Sequence, residues 1–298
     1  MAKGPLGITE FGGALLRTGD LDPVYVALYN SGLDSATLSR LCLAYWCFYH
    51  LGAAATLAEI KSPKKYWEKM MEAAINAGEP KPWPRGAERR HFRGQQSIDA
   101  MKELVLKYKT PEHAVEGMLG VGGSTTYGSV ATAAKSHRGF GDWIAFKIAD
   151  MAERVLGYAV DFSDCHLGIY KDPRQGAALA FHTGGDGVVA GEPWKLPITD
   201  EQLREGVAYY VKHFRSYECM PAHVPGGWRK VNVQEVETIF CKWKSHVKGH
   251  YPVGKDTEEI SHGLVEWERR SDLARQLNQG LNSTRDAVMR WRKKHERD

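Results

Sequence analysis

The chain has 298 residues, of which 43% are hydrophobic and 26% are charged, and its formal net charge is +4. These values are typical of a globular protein long enough for one large or two ordinary domains. The mild positive charge is compatible with nucleic acid binding without requiring it. No apolar run approaches the roughly 20 residues of a membrane helix, and the N-terminal stretch lacks the apolar core of a signal peptide. We therefore expect a cytoplasmic protein that does not bind membranes.

The cysteines do not indicate a metal site. They are widely spaced and form no CxxC pair, which argues against a zinc ribbon or an iron–sulfur cluster; the five are Cys42, Cys47, Cys165, Cys219 and Cys241. Cys241, His246 and His250 are close in sequence, but a fourth ligand and the usual ligand spacing are missing. We expect reduced thiols and no bound metal.

The stretch 29–40, YNSGLDSATLSR, has two interpretations. It resembles the start of an ATP pyrophosphatase loop, but that loop has two adjacent glycines and this one has a single glycine, Gly32, which removes one backbone N–H from a phosphate cradle. The alternative is two helices joined by a glycine turn. Asp22 and Pro23 suit a helix start, Gly32 suits a helix end, and Asp34 or Ser35 can cap the next helix. We favour the two helices and keep the nucleotide loop as the weaker alternative.

Apolar spacing predicts further helices along the chain. The second helix is expected to continue through Tyr49 and to end at Gly52. Later helices are expected at 64–78, 98–108, 111–119, 142–157, 198–214 and 231–246, and from 264 to the end. A glycine-rich loop is expected at 117–128, and short strands at 159–162 and 178–182.

This pattern predicts a mainly α protein. We divide it into an N-terminal segment at 1–20, a helical catalytic domain at 21–260 and a basic C-terminal helical extension at 261–298. The extension ends in RDAVMRWRKKHERD, which is either a source of nonspecific DNA affinity or a solvated helix.

The stretch 137–166 carries the most informative motif. Gly139 and Gly141 flank Phe140 just before a helix, and such a turn can bind a DNA phosphate through backbone N–H groups. Asp161 follows Gly141 by 20 positions. Together with Ala145 this pattern resembles the helix-hairpin-helix DNA glycosylases, whose catalytic aspartate stands at about this distance. The resemblance implies a helix-hairpin-helix, glycosylase-like fold with Asp161 as the catalytic residue, and Lys147 is a further candidate for DNA binding.

The same resemblance excludes one subclass. Lyase members place a lysine two residues after the second glycine, and this chain has Trp143 there. A Schiff-base lyase is therefore not expected. The plain alternative is that the glycines are ordinary turns and that Asp161 is a cap or a surface acid.

Two other stretches are candidates for substrate binding. The run PRGAERRHFRG at 84–94 contains four arginines and no lysine, which suggests bidentate anion contacts rather than simple solvation; its candidate residues are Glu88, Arg89, Arg90, His91 and Arg93. The run AYWCFYHLG at 44–52 could wall a base pocket through Trp46, Tyr49 and His50, although an aromatic stripe is more often core.

Together these stretches resemble the phage amino acid:DNA transferases, also called α-glutamyl/putrescinyl-thymine pyrophosphorylases. The similar motifs are DPVYVALYNSGL, AYWCFYHLG, PRGAERRHFRG, FGDWIAFKIADMAERVLGYAVDF and VETIFCKWKSHVKGHYPVG, within about residues 22–255. The resemblance implies that the amine of a free amino acid, such as glycine, displaces diphosphate from pyrophosphorylated 5-hydroxymethyluracil in double-stranded DNA. It also implies a phage enzyme that acts in the infected bacterial cell, with other hypermodification enzymes as partners.

Residue roles follow from that reaction. Arg89, Arg90 and Arg93 are expected to stabilise the leaving diphosphate, and Asp161 to accept the amine proton or to stabilise a cationic methylene. Lys242 or another arginine is expected to hold the amino acid carboxylate. The scheme requires no metal, nucleotide or other cofactor. Two alternatives stay open: a monofunctional DNA base glycosylase that uses Asp161, and a DNA-binding module without catalysis.

Overall fold

The computed structural model describes residues 5–76, 83–89, 92–120, 126–188, 195–219 and 229–295. The described residues are mainly α-helical, which confirms the predicted fold class. The helices are α1 Ile8–Thr18, α2 Pro23–Asn30, α3 Ser35–Phe48, α4 Leu51–Ala58, α5 Pro63–Ile75, α6 Gly94–Lys107, α7 Pro111–Leu119, α8 Tyr127–Lys135, α9 Asp142–Arg154, α10 Lys171–Thr183, α11 Asp200–His213, α12 Val233–Val247, α13 Lys255–Val265, α14 Asp272–Gly280 and α15 Asn282–His295. Strands β1 Glu218–Cys219 and β2 Arg229–Lys230 form an antiparallel pair.

The stretch 29–40 contains two helices and a turn rather than a nucleotide loop. Helix α2 begins at Pro23 and ends at Asn30, and Gly32 has a left-handed φ of 60°. Asp34 then caps α3, because its carboxylate accepts a hydrogen bond from the Thr37 backbone N–H at 2.9 Å. Local hydrogen bonds of this kind can be read from sequence because donor and acceptor lie within one helical turn.

The predicted end of α3 at Gly52 is wrong. The helix ends at Phe48, and Tyr49 has a left-handed φ of 51°, the only described residue other than glycine with a positive φ. Gly52 lies inside α4 instead. A Cβ there would stand 2.6 Å from the Trp267 ring, so this glycine permits close helix packing and does not terminate a helix.

Three other boundaries also differ from expectation. Residues 117–119 belong to α7 and 127–128 to α8, and only part of the expected loop, 121–125, lies outside the described residues. Residues 178–182, expected as a strand, lie inside α10. Within 159–162 the described backbone forms only an isolated bridge, between Asp161 and Thr126.

The helices form two compact units. The terminal unit contains Met1–Val26, Cys165–Glu259 and Asn282–Asp298, and the central unit contains Ala27–Asp164 and Ile260–Leu281. The domain limits expected from the sequence stay a prediction. Among the described residues, no helix is both long and apolar enough to span a bilayer.

The terminal unit is built around α12. Helices α1, α10 and α11 pack on it, and its core includes Phe11, Leu15, Phe214, Phe240 and Trp243. Gly176 in α10 permits close contact, because a Cβ there would lie 2.2 Å from the Phe240 carbonyl oxygen.

The central unit places α3 among several partners. Helices α4, α7 and α9 pack against α3, α8 packs against α9, and α14 packs against α4. This arrangement brings the carboxyl end of α3 to the same region as the amino end of α9, where the candidate site lies.

Candidate functional site in the central unit

Helices α8 and α9 form a helical hairpin whose turn contains the Gly-Phe-Gly motif. Gly139 has a φ of 82°, and a Cβ there would lie 2.5 Å from the Phe92 ring. Gly141 is the N-cap of α9, has no neighbour within 4 Å of a built Cβ, and makes no side-chain cap. The space on the Cβ side of Gly141 is therefore open among the described residues, and binding of a phosphate at the start of α9 stays a prediction. Assignment to the helix-hairpin-helix superfamily stays a prediction.

The 83–89 segment joins this turn to the end of α3. The Gly86 N–H donates to the Phe48 carbonyl at 3.0 Å, and a Cβ on Gly86 would lie 2.1 Å from the Tyr49 carbonyl oxygen. Arg89 donates from Nη1 to the Gly139 carbonyl at 2.9 Å. Three stretches singled out in the sequence thus meet in one place.

Arg89 is buried among aromatic rings. Its guanidinium carbon lies 4.1 Å from the Phe92 ring centroid and 5.1 Å from that of Phe140. Nε donates to the Cys47 carbonyl, while the buried Nη2 has no hydrogen-bond partner among the described residues. Burial lowers the pKa of Arg89 to about 10, so the side chain remains a cation at neutral pH.

Arg85 repeats this arrangement. It stacks on Phe48 at 4.0 Å and donates to the carbonyls of Phe92 and Ala73 and to the Ser97 hydroxyl. Its buried Nη1 has no partner, and burial lowers its pKa to about 10, with the nearby Arg89 acting in the same direction. Within the described part of the chain, neither arginine forms a salt bridge.

A polar column lies beside these arginines. The Tyr45 and Tyr49 rings stack at 4.5 Å and their hydroxyls share a hydrogen bond, and the Tyr49 ring meets the edge of Trp143 at 4.9 Å. Burial raises the pKa of Tyr45 well above its ordinary value, with Tyr49 and Glu88 adding to the rise and Lys147 opposing it. Glu88 itself is exposed, whereas Tyr45 is buried.

Lys147 occupies the inner part of this column. We expected it on a DNA-binding surface, but its side chain is buried instead. Its Nζ lies 3.9 Å from the Asp150 carboxylate and 5.2 Å from the Phe146 ring centroid. A direct phosphate contact from this lysine is not available in this conformation.

Two residues expected to wall a base pocket are engaged in helix packing. Trp46 is fully buried, and its Nε1 donates to the Met151 sulfur. His50 caps α4 by accepting a hydrogen bond from the Ala53 N–H at Nδ1, and its ring lies 5.8 Å from that of Trp267. Tyr49 alone of the three lies beside the arginines.

Asp161 lies at the other end of the hairpin. Its carbonyl accepts from the N–H of Tyr127, the first residue of α8, so it stands about 13 Å, one length of α8, from the Gly139 turn. Its exposed carboxylate accepts from the Ser163 backbone N–H and hydroxyl at 2.8 Å each, and these bonds hold its pKa below the ordinary value. An ionised, exposed carboxylate remains available for chemistry.

Lys242 belongs to the terminal unit and has protein partners. Its Nζ donates to the carbonyls of Asp20 and Leu21 and lies 2.7 Å from the Asp256 carboxylate. These contacts account for its burial without a substrate, and its expected role in holding a carboxylate stays a prediction. His246 nearby uses Nε2 to accept from the Leu6 N–H and Nδ1 to contact the Tyr251 carbonyl, so neither nitrogen is available to a metal.

The rest of the arginine run is less well defined. Arg93 is the exposed N-cap of α6. Arg90 and His91, both expected at the substrate site, lie outside the described residues.

Sequence reasoning missed Tyr45 and Trp143 as site residues, and it named Arg85 only as one member of the arginine run. Tyr45 precedes Tyr49 by four positions and so shares its helix face, which was a usable signal. Arg85 belongs to the arginine run, but the residues next to it in the sequence do not indicate that it is buried.

Comparison with known proteins identifies the family. The profile of the amino acid:DNA transferase family matches residues 14–251. The chain is 41% identical over 281 residues to a glycinyltransferase of Pseudomonas phage PaMx11, covering 90% of this chain and 94% of the relative. It is 26% identical over 264 residues to a putrescinyltransferase of Delftia phage PhiW-14, covering 88% and 79%. The chain therefore belongs to the amino acid:DNA transferase family and is an enzyme that transfers an amino acid onto DNA.

Proposed function

We propose that the enzyme joins glycine to pyrophosphorylated 5-hydroxymethyluracil in double-stranded DNA, within the phage-infected bacterial cell. The relative with 41% identity over most of both chains is named a glycinyltransferase. The second relative is named a putrescinyltransferase, and glycine and putrescine share a primary amine. A common reaction with an amine nucleophile and a variable amine substrate accounts for both names.

The proposed step forms one bond and breaks one. The glycine nitrogen bonds to the methylene carbon attached to C5 of the uracil, while the bond between that carbon and the diphosphate oxygen breaks. Diphosphate leaves with the electron pair. The ammonium group of glycine first loses a proton to a base, so that its nitrogen carries the lone pair that attacks. Asp161 is the candidate base because its carboxylate is exposed.

The observation that carries the proposal is the pair of buried arginines. Arg85 and Arg89 each keep one unpaired guanidinium nitrogen, and no described carboxylate forms a salt bridge with them. A buried cation without a counter-ion is costly, and an anionic ligand would offset that cost. A leaving diphosphate is the anion that this reaction supplies, and fixed cations aimed at developing charge accelerate such a step.

The aromatic pair and the hairpin support DNA as the second substrate. Tyr49 and Trp143 are only partly buried and lie beside the arginines, and aromatic faces of this kind stack with unpaired bases. The turn at Gly141 lies at the start of α9 in the same region, where it would contact the phosphate backbone.

Nucleoside mass spectrometry tests the proposal directly. Purified enzyme is incubated without ATP with duplex DNA bearing pyrophosphorylated 5-hydroxymethyluracil, and with glycine, putrescine and other amino acids in equal amounts. We expect one new nucleoside, with glycine attached through nitrogen, and one diphosphate released per nucleoside. A parallel duplex with the monophosphate ester identifies the leaving group.

Matched variants assign the base. Asp161→Asn should slow transfer at least tenfold, whereas Asp164→Asn changes a carboxylate of the same loop that accepts only from the Gly128 N–H and should keep most activity. Unchanged nucleosides on verified activated DNA would refute the proposal. Release of a free base with abasic sites would select the glycosylase alternative.

A further inference from the structure

An open cleft of about 570 Å³ lies in the terminal unit, and none of its lining residues belongs to the candidate site. The end of α1, residues 216–217, strand β2 and the first turns of α15 form its walls. The polar side chains in it are those of Arg17, Thr18, Ser216, Tyr217, Lys230, Ser283 and Thr284. No part of the proposed transfer reaction uses these residues.

The charge of the cleft favours an anion. Arg17 and Lys230 are its charged residues, and none of its lining residues is an aspartate or glutamate. Arg17 is held in place because its Nη1 donates to the Tyr217 hydroxyl at 2.8 Å and its guanidinium lies 5.6 Å from that ring. Cations with hydroxyl groups around them are the side chains that contact phosphate oxygens in DNA complexes.

Helix α15 continues this positive surface beyond the cleft. Ser283, Ala287, Arg290 and Lys294 recur at helical spacing, so they share one face of the helix. Ser283, Arg290 and Lys294 are exposed. Asp286, also exposed, is the carboxylate at the edge of this face.

The length of the positive surface formed by the cleft and α15 favours a polymeric anion over a small one as its ligand. Ala287 and Lys294 are seven positions apart, which corresponds to about 10 Å along the helix. A diphosphate would occupy the cleft alone, whereas duplex DNA carries about one charge per 1.7 Å of its axis and would engage the whole face.

We propose that the cleft and the Ser283–Lys294 face of α15 form a second binding site for the DNA phosphate backbone, independent of sequence and of the modified base. The site requires only that the substrate is DNA, and it does not depend on which amino acid is transferred. It gives the terminal unit a role in holding the duplex while the central unit performs the chemistry.

The test is the salt dependence of DNA binding. Fluorescence anisotropy with a 20-base-pair unmodified duplex is measured between 50 and 300 mM NaCl for the wild type and for Arg17→Ala/Lys230→Ala. Each lost phosphate contact lowers the slope of log affinity against log salt by about 1, so we expect the double variant to lose about 2. Arg204→Ala/Lys212→Ala removes the same residue types from exposed positions on α11 and should leave the slope nearly unchanged.

Two further variants keep the test decisive if removal of Arg17 lowers the melting temperature. Arg290→Ala/Lys294→Ala should lower the slope by a similar amount, and Asp286→Asn should tighten binding a few-fold because it removes a like charge from the phosphate surface. Equal slopes for the cleft, helix-face and α11 variants would overturn the proposal. Calorimetry with sodium diphosphate tests whether the cleft binds a small anion instead. That alternative would hold if Arg17→Ala/Lys230→Ala lost diphosphate binding while the salt dependence of its DNA affinity stayed unchanged.

Discussion

Lys242 in the terminal unit and Arg89 in the central unit are both buried cations, but their surroundings differ. Lys242 has a carboxylate at 2.7 Å and two backbone carbonyls. Burial by itself lowers the pKa of Lys242, but the carboxylates of Asp256 and Asp20 outweigh it and the net shift is upward. Arg89 has two carbonyls, aromatic rings and no described salt bridge, and burial lowers its pKa to about 10.

The difference separates a structural charge from one that can bind an external anion. A buried cation that already has a carboxylate partner is stabilised little by an added anion. A buried cation without a counter-ion is stabilised by any anion that reaches it. The same central unit offers an internal reference, because the equally buried Arg40 pairs with Glu112 at 3.3 Å and donates to the Ala58 carbonyl.

The largest expected effect is on stability, at Lys242. Lys242→Met should lower the free energy of unfolding by about 3–5 kcal/mol, because it leaves the buried carboxylate of Asp20 and the neighbouring Asp256 without their cation. Urea unfolding measures the change. Lys255→Met, which breaks an exposed pair with Glu259 and a hydrogen bond to the His250 carbonyl, should cost under about 1 kcal/mol. A stable Lys242→Met protein that no longer transfers the amino acid would instead give Lys242 the substrate role suggested by the sequence.

The second effect is on activity, at Arg89. Arg89→Met should lower kcat/KM for transfer by about 10²–10³, as for loss of one fixed donor to a developing anion. Arg40→Met removes an arginine of the same burial that has a carboxylate partner, so it should reduce stability more and activity of the folded enzyme less. The rate of nucleoside formation in a single turnover is compared for the two variants, under conditions in which the same fraction of each protein is folded. Equal activity losses would show that Arg89 also acts structurally.

A smaller effect is expected at the hairpin turn, where two glycines have different surroundings. Gly139→Ala should cost about 1–3 kcal/mol of stability, since it combines a left-handed φ with a clash against Phe92. Gly141→Ala has ordinary φ and open space, so it should cost less, about 0.5–1 kcal/mol, because alanine is a poorer N-cap than glycine. If Gly141 faces a DNA phosphate, its variant should nevertheless bind duplex DNA more weakly. Thermal unfolding and anisotropy together separate these effects, and unchanged DNA affinity would remove Gly141 from the interface.

The smallest effect concerns His137, a third buried basic group without a carboxylate in contact. Its Nε2 contacts the Tyr108 hydroxyl at 2.6 Å, and burial, with Lys107 acting in the same direction, lowers its pKa. A depressed folded-state pKa means that its stabilising contribution is present above the ordinary value of about 6.5 and is lost as the pH falls through the folded-state pKa. Wild-type stability should therefore fall relative to His137→Gln as the pH decreases below 6.5. Parallel urea titrations at pH 7.5 and 5.0 measure it, and equal falls in both proteins would contradict the assignment.

Much of the helical framework could be predicted because its signals are local. The Asp34 cap and the Gly32 turn are set by hydrogen bonds and φ values within one helical turn, and the Thr199 capping box at α11 is of the same kind. The arginine run and the glycine turn were likewise recognisable, because their residue types suit phosphate chemistry wherever they fold.

Other features depended on residues far apart in the sequence. The break at Phe48 follows from the docking of Gly86 against Tyr49, and the role of Gly52 follows from Trp267. The spacing of apolar residues around these positions favours one continuous helix that ends at a glycine. The helix ends earlier because residues distant in the sequence pack against it.

The sequence by itself determined the helical class, the main caps and the residue types available for anion binding, because these depend on neighbours within a few positions. Only the tertiary structure decided which cations are neutralised. Lys242 and Arg40 received carboxylate partners from other helices, Lys147 was buried beside Asp150, and Arg85 and Arg89 were placed among carbonyls and rings. Burial and charge pairing are sums over contacts from the whole fold, so no local pattern can assign them.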